Sequence, residues 1–552
     1  MLDAVLKHFC FRDIDEKNIY TKPTFLISLF VMTVLVAFGV IATESFGRAV
    51  GAAFDFMTEN LGWSFILSAC VFLFAIIYLS LSPYGKIKLG EEDERPAYSN
   101  LTWFAMLFSS GMGIGLLFWG VSEPVRHYIW PPYGAAKSPE AVHTAMRYAF
   151  FHWGFHPWAI YAVVAGCLAY FSYRKKLPML LSSTLEPILG PERIHSGWAT
   201  LINVIGVFAT LFGLATSLGL GAMQIGSGLE SLWQIPSTAG VWVVIVVVIT
   251  AVSVGATMTG IDRGIKYLSQ FNIIVAALLM LLVFIVGPTL FILKIFTHAT
   301  GDYIQNIIQM SFHMDPALTG NKEWTSTWTV FYWAWWIAWA PFVGTFIARI
   351  SRGRTIRNFV IGVLLVPTGV SLVWFSIFGG SALFVEHLGA GGIAAAVTKD
   401  SAAGFFAFLS TLPVSNILIA VAMVSVAVFF ITSLNSGTYV NSMLTSLGNP
   451  NPPVPMRLIW GLLEGGIAAV LLFSGGLEAL QTASIVGGFP FMLIMLLMLY
   501  CLFKALREQH RKMSVSVEGD KADIGKFDTP PTIEKTRVGS DRQSKRTKGE
   551  VR

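Results

Sequence analysis

The chain has 552 residues, 54% of them hydrophobic and 13% charged, with a formal net charge of +6. So few charges cannot cover the surface of a water-soluble protein of this length, in which about a quarter of residues are charged. The basic excess falls in loops and tail, where in a membrane protein it reports orientation, and it carries no nucleic-acid footprint.

After a cytoplasmic segment, residues 1–22, the runs Thr24 to Val40 and Ser64 to Leu81 hold no charged residue, and neither does Val241 to Gly260. Each is close to the about 20 residues that cross hydrocarbon as a helix. Spans are expected near residues 33, 72, 111, 158, 213, 247, 280, 338, 367, 428, 464 and 494, an all-α integral membrane protein of twelve helices over residues 23–510. So many long runs exclude a cleaved leader and a β-barrel. With the amino terminus inside, the clusters Arg174, Lys175, Lys176 and Arg349, Arg352, Arg354, Arg357 fall on the cytoplasmic side, as does the carboxyl terminus. Outside, Tyr303 to Phe312 and Ala402 to Ser410 read as short helices. Cys10, Cys70, Cys167 and Cys501 lie far apart without metal or redox spacing and read as small hydrophobes.

The third span carries Ser109-Ser110-Gly111-Met112-Gly113-Ile114-Gly115-Leu116. Three alternate glycines weaken a helix by about 1 kcal/mol each. Backbone opened at that depth survives only where it lines a cavity, and broken helices at mid-membrane build ion and substrate sites in many carriers. A plain packing motif, Gly111-x-x-x-Gly115, fits the same residues. Glu123, in Ser122-Glu123-Pro124, reads as the cap of a short external helix.

The fourth span carries His152-Trp153-Gly154-Phe155-His156-Pro157-Trp158-Ala159-Ile160-Tyr161, and the eighth holds Trp328, Trp333, Trp335, Trp336 and Trp339, followed by Phe342. That tryptophan run is too deep for an interfacial belt. A methylated ammonium offers no N–H to donate, so its natural host is a box of π faces. Neither segment contains Asp or Glu, which favours a zwitterion that brings its own carboxylate; bulky helix packing is the competing account. His152 and His156 have a metal-compatible i, i+4 spacing but no third ligand in the span, and read as packing histidines.

In the fifth span, Thr210 to Gly221 is rich in small and hydroxyl residues, and in the tenth, Phe429 precedes Thr432 and Ser433. Adjacent hydroxyls suit a hard cation, or bond back to their own helix carbonyls. Glu464 in the eleventh span is a functional candidate because a buried acid is costly. Residues 511–552 form a cytoplasmic tail, polar from residue 513, with too little apolar content for a core, and are expected to be disordered. Its basic end suits anionic lipid.

These segments together resemble the betaine/choline/carnitine transporter family, over about residues 20 to 510. The likeness rests on Gly111 to Leu116 with Ser122-Glu123-Pro124, on His152-Trp153 with His156 to Tyr161, and on Phe331 through Arg357, including Arg349-Ile350-Ser351-Arg352-Gly353-Arg354. It implies a LeuT-type core of two inverted five-helix repeats, spans 3–7 and 8–12, and a homotrimer in the bacterial inner membrane. It also implies a substrate site in which Trp153, Trp158, Tyr161 and Trp336 box a trimethylammonium group. Gly113 and Gly115 lie beside that box, and Trp335 and Trp339 flank it or line the inward route. In sodium-dependent relatives one ion sits between third-span carbonyls and a Thr-Ser pair, which maps to Ser109 and Met112 with Phe429, Thr432 and Ser433. A second site there uses two threonines one turn apart; Thr210 matches the first, but Leu214 occupies the other place. Choline carriers place an aspartate at Gly115. The implied function is uptake of a quaternary-ammonium zwitterion, glycine betaine first, coupled to sodium by alternating access, with no cofactor and no enzymatic step. Sodium-independent exchange and proton-coupled choline uptake are the alternatives.

Overall fold

The computed structural model describes Tyr20 and residues 22–111, 113–193, 196–258, 262–314 and 323–527; side chains at 108–111, 262–266, 268–269 and 512–527 are not described. In chain order the helices are α1 (Pro23–Ile41), α2 (Thr43–Leu81), α3 (Asn100–Gly111), α4 (Ile114–Ile129), α5 (Pro139–Trp153), α6 (Phe155–Ala169), α7 (Gly197–Trp233) and α8 (Ala239–Met258). They continue with α9 (Asp262–Val286), α10 (Thr289–Ser311), α11 (Phe331–Ile350), α12 (Ile356–Leu388), α13 (Ile393–Lys399), α14 (Gly404–Leu409), α15 (Ser415–Thr445) and α16 (Val454–Phe527). No β-strand is formed among the described residues.

Local chemistry sets several of these boundaries. The Ser138, Ser196 and Thr355 side chains accept the backbone N–H three residues on and so cap α5, α7 and α12, with Pro139 at the first helical position of α5. Gly476, at φ +57° and ψ −131°, kinks α16. Every expected span centre falls on a helix. Nine helices of the described residues are long and apolar enough to cross a membrane, and ten if the bent pair α9–α10 counts as one span. The third span is missing from that number because it is cut into α3 and α4, and α16 holds two expected spans in one run.

Burial orders the bundle. In the most apolar stretch of α5–α6 and of the helix through α11, 94% of residues are buried, against 28% for α1 and 22% for α8. The two aromatic-rich segments therefore form the centre. At the periphery Phe30, Ile41, Val244 and Val247 are exposed, an apolar outer surface that suits lipid.

Two elements expected outside the membrane differ from expectation. The helix expected at Tyr303 to Phe312 begins instead at Thr289 and turns 109° from the preceding helix, at Gly287-Pro288. Its exposed Leu290, Leu293, Ile304 and Ile308 had blurred the boundary in the apolar sequence pattern. The helix expected at Ala402 to Ser410 is a short turn, Ser401–Ala403, followed by α14.

At the opposite end, the arginine-rich loop after α11 docks on the loop before α3. Gly353 N–H donates to Leu89 O at 2.8 Å, and Leu89 N–H to Arg354 O at 2.8 Å. The Arg354 guanidinium lies 3.9 Å from the Trp103 ring centre and donates to Asn100 Oδ1 at 2.7 Å. Glu91 pairs with Lys176 at 2.7 Å, and that ammonium holds its carboxyl below the usual range. Residues from Lys504 onward form a separate unit, helical to Phe527; residues 528–552 of the expected tail lie outside the described residues.

Candidate substrate and ion site

Two breaks in the central helices build the site. The first lies between Gly111 and Ile114, where Gly113 adopts φ −158° and ψ −150°. The alternate glycines thus open the third span, as one of the two readings of that run expects. Side chains reach carbonyls just past the opening: Trp374 Nε1 donates to Leu116 O at 3.0 Å and Gln224 Nε2 to Leu117 O at 2.8 Å.

The second break, at Gly154 (φ −92°, ψ −132°), parts α5 from α6 and was not foreseen. Its signal is in the sequence. Pro157 has no N–H, and its ring clashes with the carbonyl four residues earlier, which is that of Trp153. A Cβ at Gly154 would stand 2.5 Å from both Phe150 O and Tyr303 Oη, so only glycine fits. Trp336 caps the opened turn by donating its indole N–H to His152 O at 3.1 Å.

Around these breaks the rings converge. Trp153 and Trp336 have centroids 4.9 Å apart at 78°, Tyr161 and Trp336 6.1 Å apart at 82°, and Trp158 and Tyr161 5.6 Å apart at 78°. All four are buried. Trp335 stacks on Trp336 at 4.9 Å and 19°. Trp335 and Trp339 both donate to Gly213 O, at 3.3 and 2.7 Å, which pins α11 to α7. Trp339 is 5.6 Å from Phe342, and Phe342 lines a cleft of about 190 Å³ with Thr345, Arg349, Asn435, Thr438 and Arg457. Gly115 lies against the cage: a Cβ there would meet Trp335 Cη2 at 2.8 Å and Trp153 Cη2 at 2.9 Å.

Of the expected ion ligands, Ser433 faces the first break, its Oγ 4.0 Å from the Cβ position of Gly113. Phe429 is buried one turn away. Thr432 donates back to Val428 O at 3.0 Å and Phe429 O at 3.1 Å. Ser109 has its backbone in α3 but its side chain is not described, and Met112 lies outside the described residues. Thr210 donates to Gly206 O at 2.8 Å, and Leu214 packs where a Cβ on Gly437 would stand, 2.0 Å from its Cδ1.

Glu123 is the largest departure from expectation. It is fully buried, not a cap at the outer end. Its Oε2 accepts from Trp153 Nε1 at 2.7 Å and from the Tyr332 hydroxyl at 2.5 Å, and its Oε1 lies 2.8 Å from His152 Nδ1 and 3.3 Å from His127 Nε2. A carboxylate therefore does reach the aromatic cluster, although neither aromatic segment contains one. The two histidines are buried and hydrogen-bonded, as expected, but to different partners. His152 turns to Glu123, while His156 meets Ser311 Oγ at 3.0 Å and stacks on Trp333. Glu464 has partners too, Asn441 Nδ2 at 2.8 Å and Thr438 Oγ1 at 3.1 Å.

Apolar helices that break around a buried aromatic and polar centre define a helical membrane transporter. The sequence profile of the betaine/carnitine/choline family transporter, BCCT, matches residues 23–511. The glycine betaine transporter OpuD of Bacillus subtilis is 46% identical over 91% of this chain and 98% of its own. A probable glycine betaine transporter of Desulfitobacterium hafniense is 43% identical over 90% of this chain and 99% of its own, and an ectoine/hydroxyectoine transporter of Virgibacillus pantothenticus is 42% identical over 90% and 99%. The chain belongs to the betaine/carnitine/choline transporter family, and it is a multi-pass membrane transporter, not an enzyme.

Proposed function

We propose that the protein imports a methylated-ammonium osmolyte, glycine betaine first, driven by a sodium gradient through alternating access. The observation that carries this reading is the cage itself. The Trp153, Tyr161 and Trp336 rings stand edge to face, with Trp158 behind Tyr161, beside a glycine-lined break. Such faces attract a cation by about 2 kcal/mol or more once water is excluded. Two of the relatives just named bear glycine betaine in their names, which supports the same choice.

Twelve crossings complete the reading, with α16 contributing two on either side of Gly476, the inverted repeats of a LeuT-type core behind two leading helices, and both termini inside. Sodium would sit where the third span opens, held by oxygens of the Ser109–Met112 stretch with Phe429 carbonyl, Thr432 and Ser433. Thr432 still offers lone pairs while its proton is used within its own helix. Leu214 in place of the second threonine supports a single coupled sodium. The cage and the Phe342-lined cleft mark the inward route, and rocking of the two repeats would expose the cage to each side in turn.

Proteoliposomes test the coupling. Labelled glycine betaine should accumulate above equilibrium only when sodium is imposed outside. Equal uptake in potassium buffer would rule out sodium coupling, and uptake requiring internal substrate would identify an exchanger.

A further inference from the structure

The proton inventory around Glu123 is one-sided. Trp153 Nε1–H and the Tyr332 hydroxyl are donors by nature. His152 Nε2 lies 3.0 Å from Thr329 Oγ1; with that hydroxyl donating to it, a neutral His152 carries its proton on Nδ1 and gives it to Glu123. His127 Nε2 supplies a fourth donor, while its Nδ1 is buried without a hydrogen-bond partner. With both imidazoles neutral, every contact to Glu123 is donor to acceptor, which is the arrangement an ionised carboxylate needs in a dry interior. Among the described residues no lysine or arginine lies within ion-pairing distance of Glu123, whose basic neighbours are His127 and His152. With Glu123 ionised and both imidazoles neutral, the cluster carries one net negative charge, bonded directly to a wall of the cage.

We propose that Glu123 is the fixed counter-charge of the cage, acting through the Trp153 indole N–H to strengthen the face that receives the ammonium. An indole that donates to an anion holds more electron density in its ring, and the carboxylate adds its own field across one ring's width. The inference rests on the reading that the cage takes a methylated ammonium. It assigns selectivity for the charge on nitrogen to a residue that never touches the ligand. Glu123 is thus a positioning residue, reached from α4, α5 and α11 together.

The test separates charge from packing. Displacement of labelled glycine betaine from the purified full chain is measured with unlabelled glycine betaine and with tert-butylacetate, which keeps shape and carboxylate but has carbon in place of the ammonium nitrogen. Wild type should prefer glycine betaine strongly. Glu123→Gln should reduce that preference by about tenfold or more, through weaker betaine binding with tert-butylacetate unchanged or improved. His127→Lys, which sets an ammonium beside the carboxylate, should lose the same preference and serves if the glutamine variant does not fold. Equal weakening of both ligands, or an unchanged ratio, would show a packing role and overturn the inference alone. A wild type that binds the two ligands equally would overturn the cage reading and the inference together.

Discussion

Replacing Trp336 by Leu is expected to abolish uptake and to weaken glycine betaine binding by about a hundredfold or more, equivalent to about 2.7 kcal/mol. Trp336 is the shared wall of the cage, 4.9 Å from Trp153, 6.1 Å from Tyr161 and stacked on Trp335. Leucine removes the π face, worth about 2 kcal/mol for a desolvated cation, and leaves a void that the other rings must fill. It also removes the N–H that caps His152 O at the Gly154 break. Trp336→Phe divides these effects, because it keeps a smaller and weaker π face and loses the donor. It should bind more weakly than wild type and more tightly than the leucine variant. Equilibrium binding and uptake on one monodisperse preparation check both. Near-normal binding by Trp336→Leu would remove this residue from the site.

Gly115 carries the second large effect. Its Cβ position is 2.8 Å from Trp335 and 2.9 Å from Trp153, inside the contact distance of two carbons. Gly115→Ala must push the two indoles apart by several tenths of an ångström, which should weaken binding by about tenfold, since a relaxed overpacked site costs about 1–3 kcal/mol. Gly115→Leu should eliminate binding while the helices, whose outer faces are untouched, still assemble. Binding isotherms of the series Gly, Ala, Leu should fall in that order. A leucine variant that binds like wild type would place the ligand elsewhere.

The glycine run and the aromatic segments were legible because their signals are local: alternate glycines weaken one helix, and tryptophan deep in a span is out of its usual place. The Gly154 break was equally local but was masked by the aromatic and histidine pattern around it, although Pro157 marks the carbonyl that must come free. Glu123 could not be read this way. Its partners His127, His152, Trp153 and Tyr332 come from three helices and up to 209 residues away, so spacing alone gave no sign that one carboxylate would collect them. Glu464 shows the same limit, because Thr438 and Asn441 share one face of α15 but reach the acid only through packing. The length of α10 was obscured for a third reason. Its outward apolar side chains carry the same pattern as a crossing helix, and only the turn at Gly287-Pro288 lays it across the bundle.

The claim on which the rest depends is that a methylated onium centre rests between Trp153, Tyr161 and Trp336. Arsenobetaine, with arsenic in place of the ammonium nitrogen, tests it most directly by anomalous diffraction from crystals grown with the compound in sodium buffer. The account predicts one arsenic peak per chain against those three rings, next to Gly115. A strong peak elsewhere in the bundle, or an empty cage at saturating compound, would contradict it.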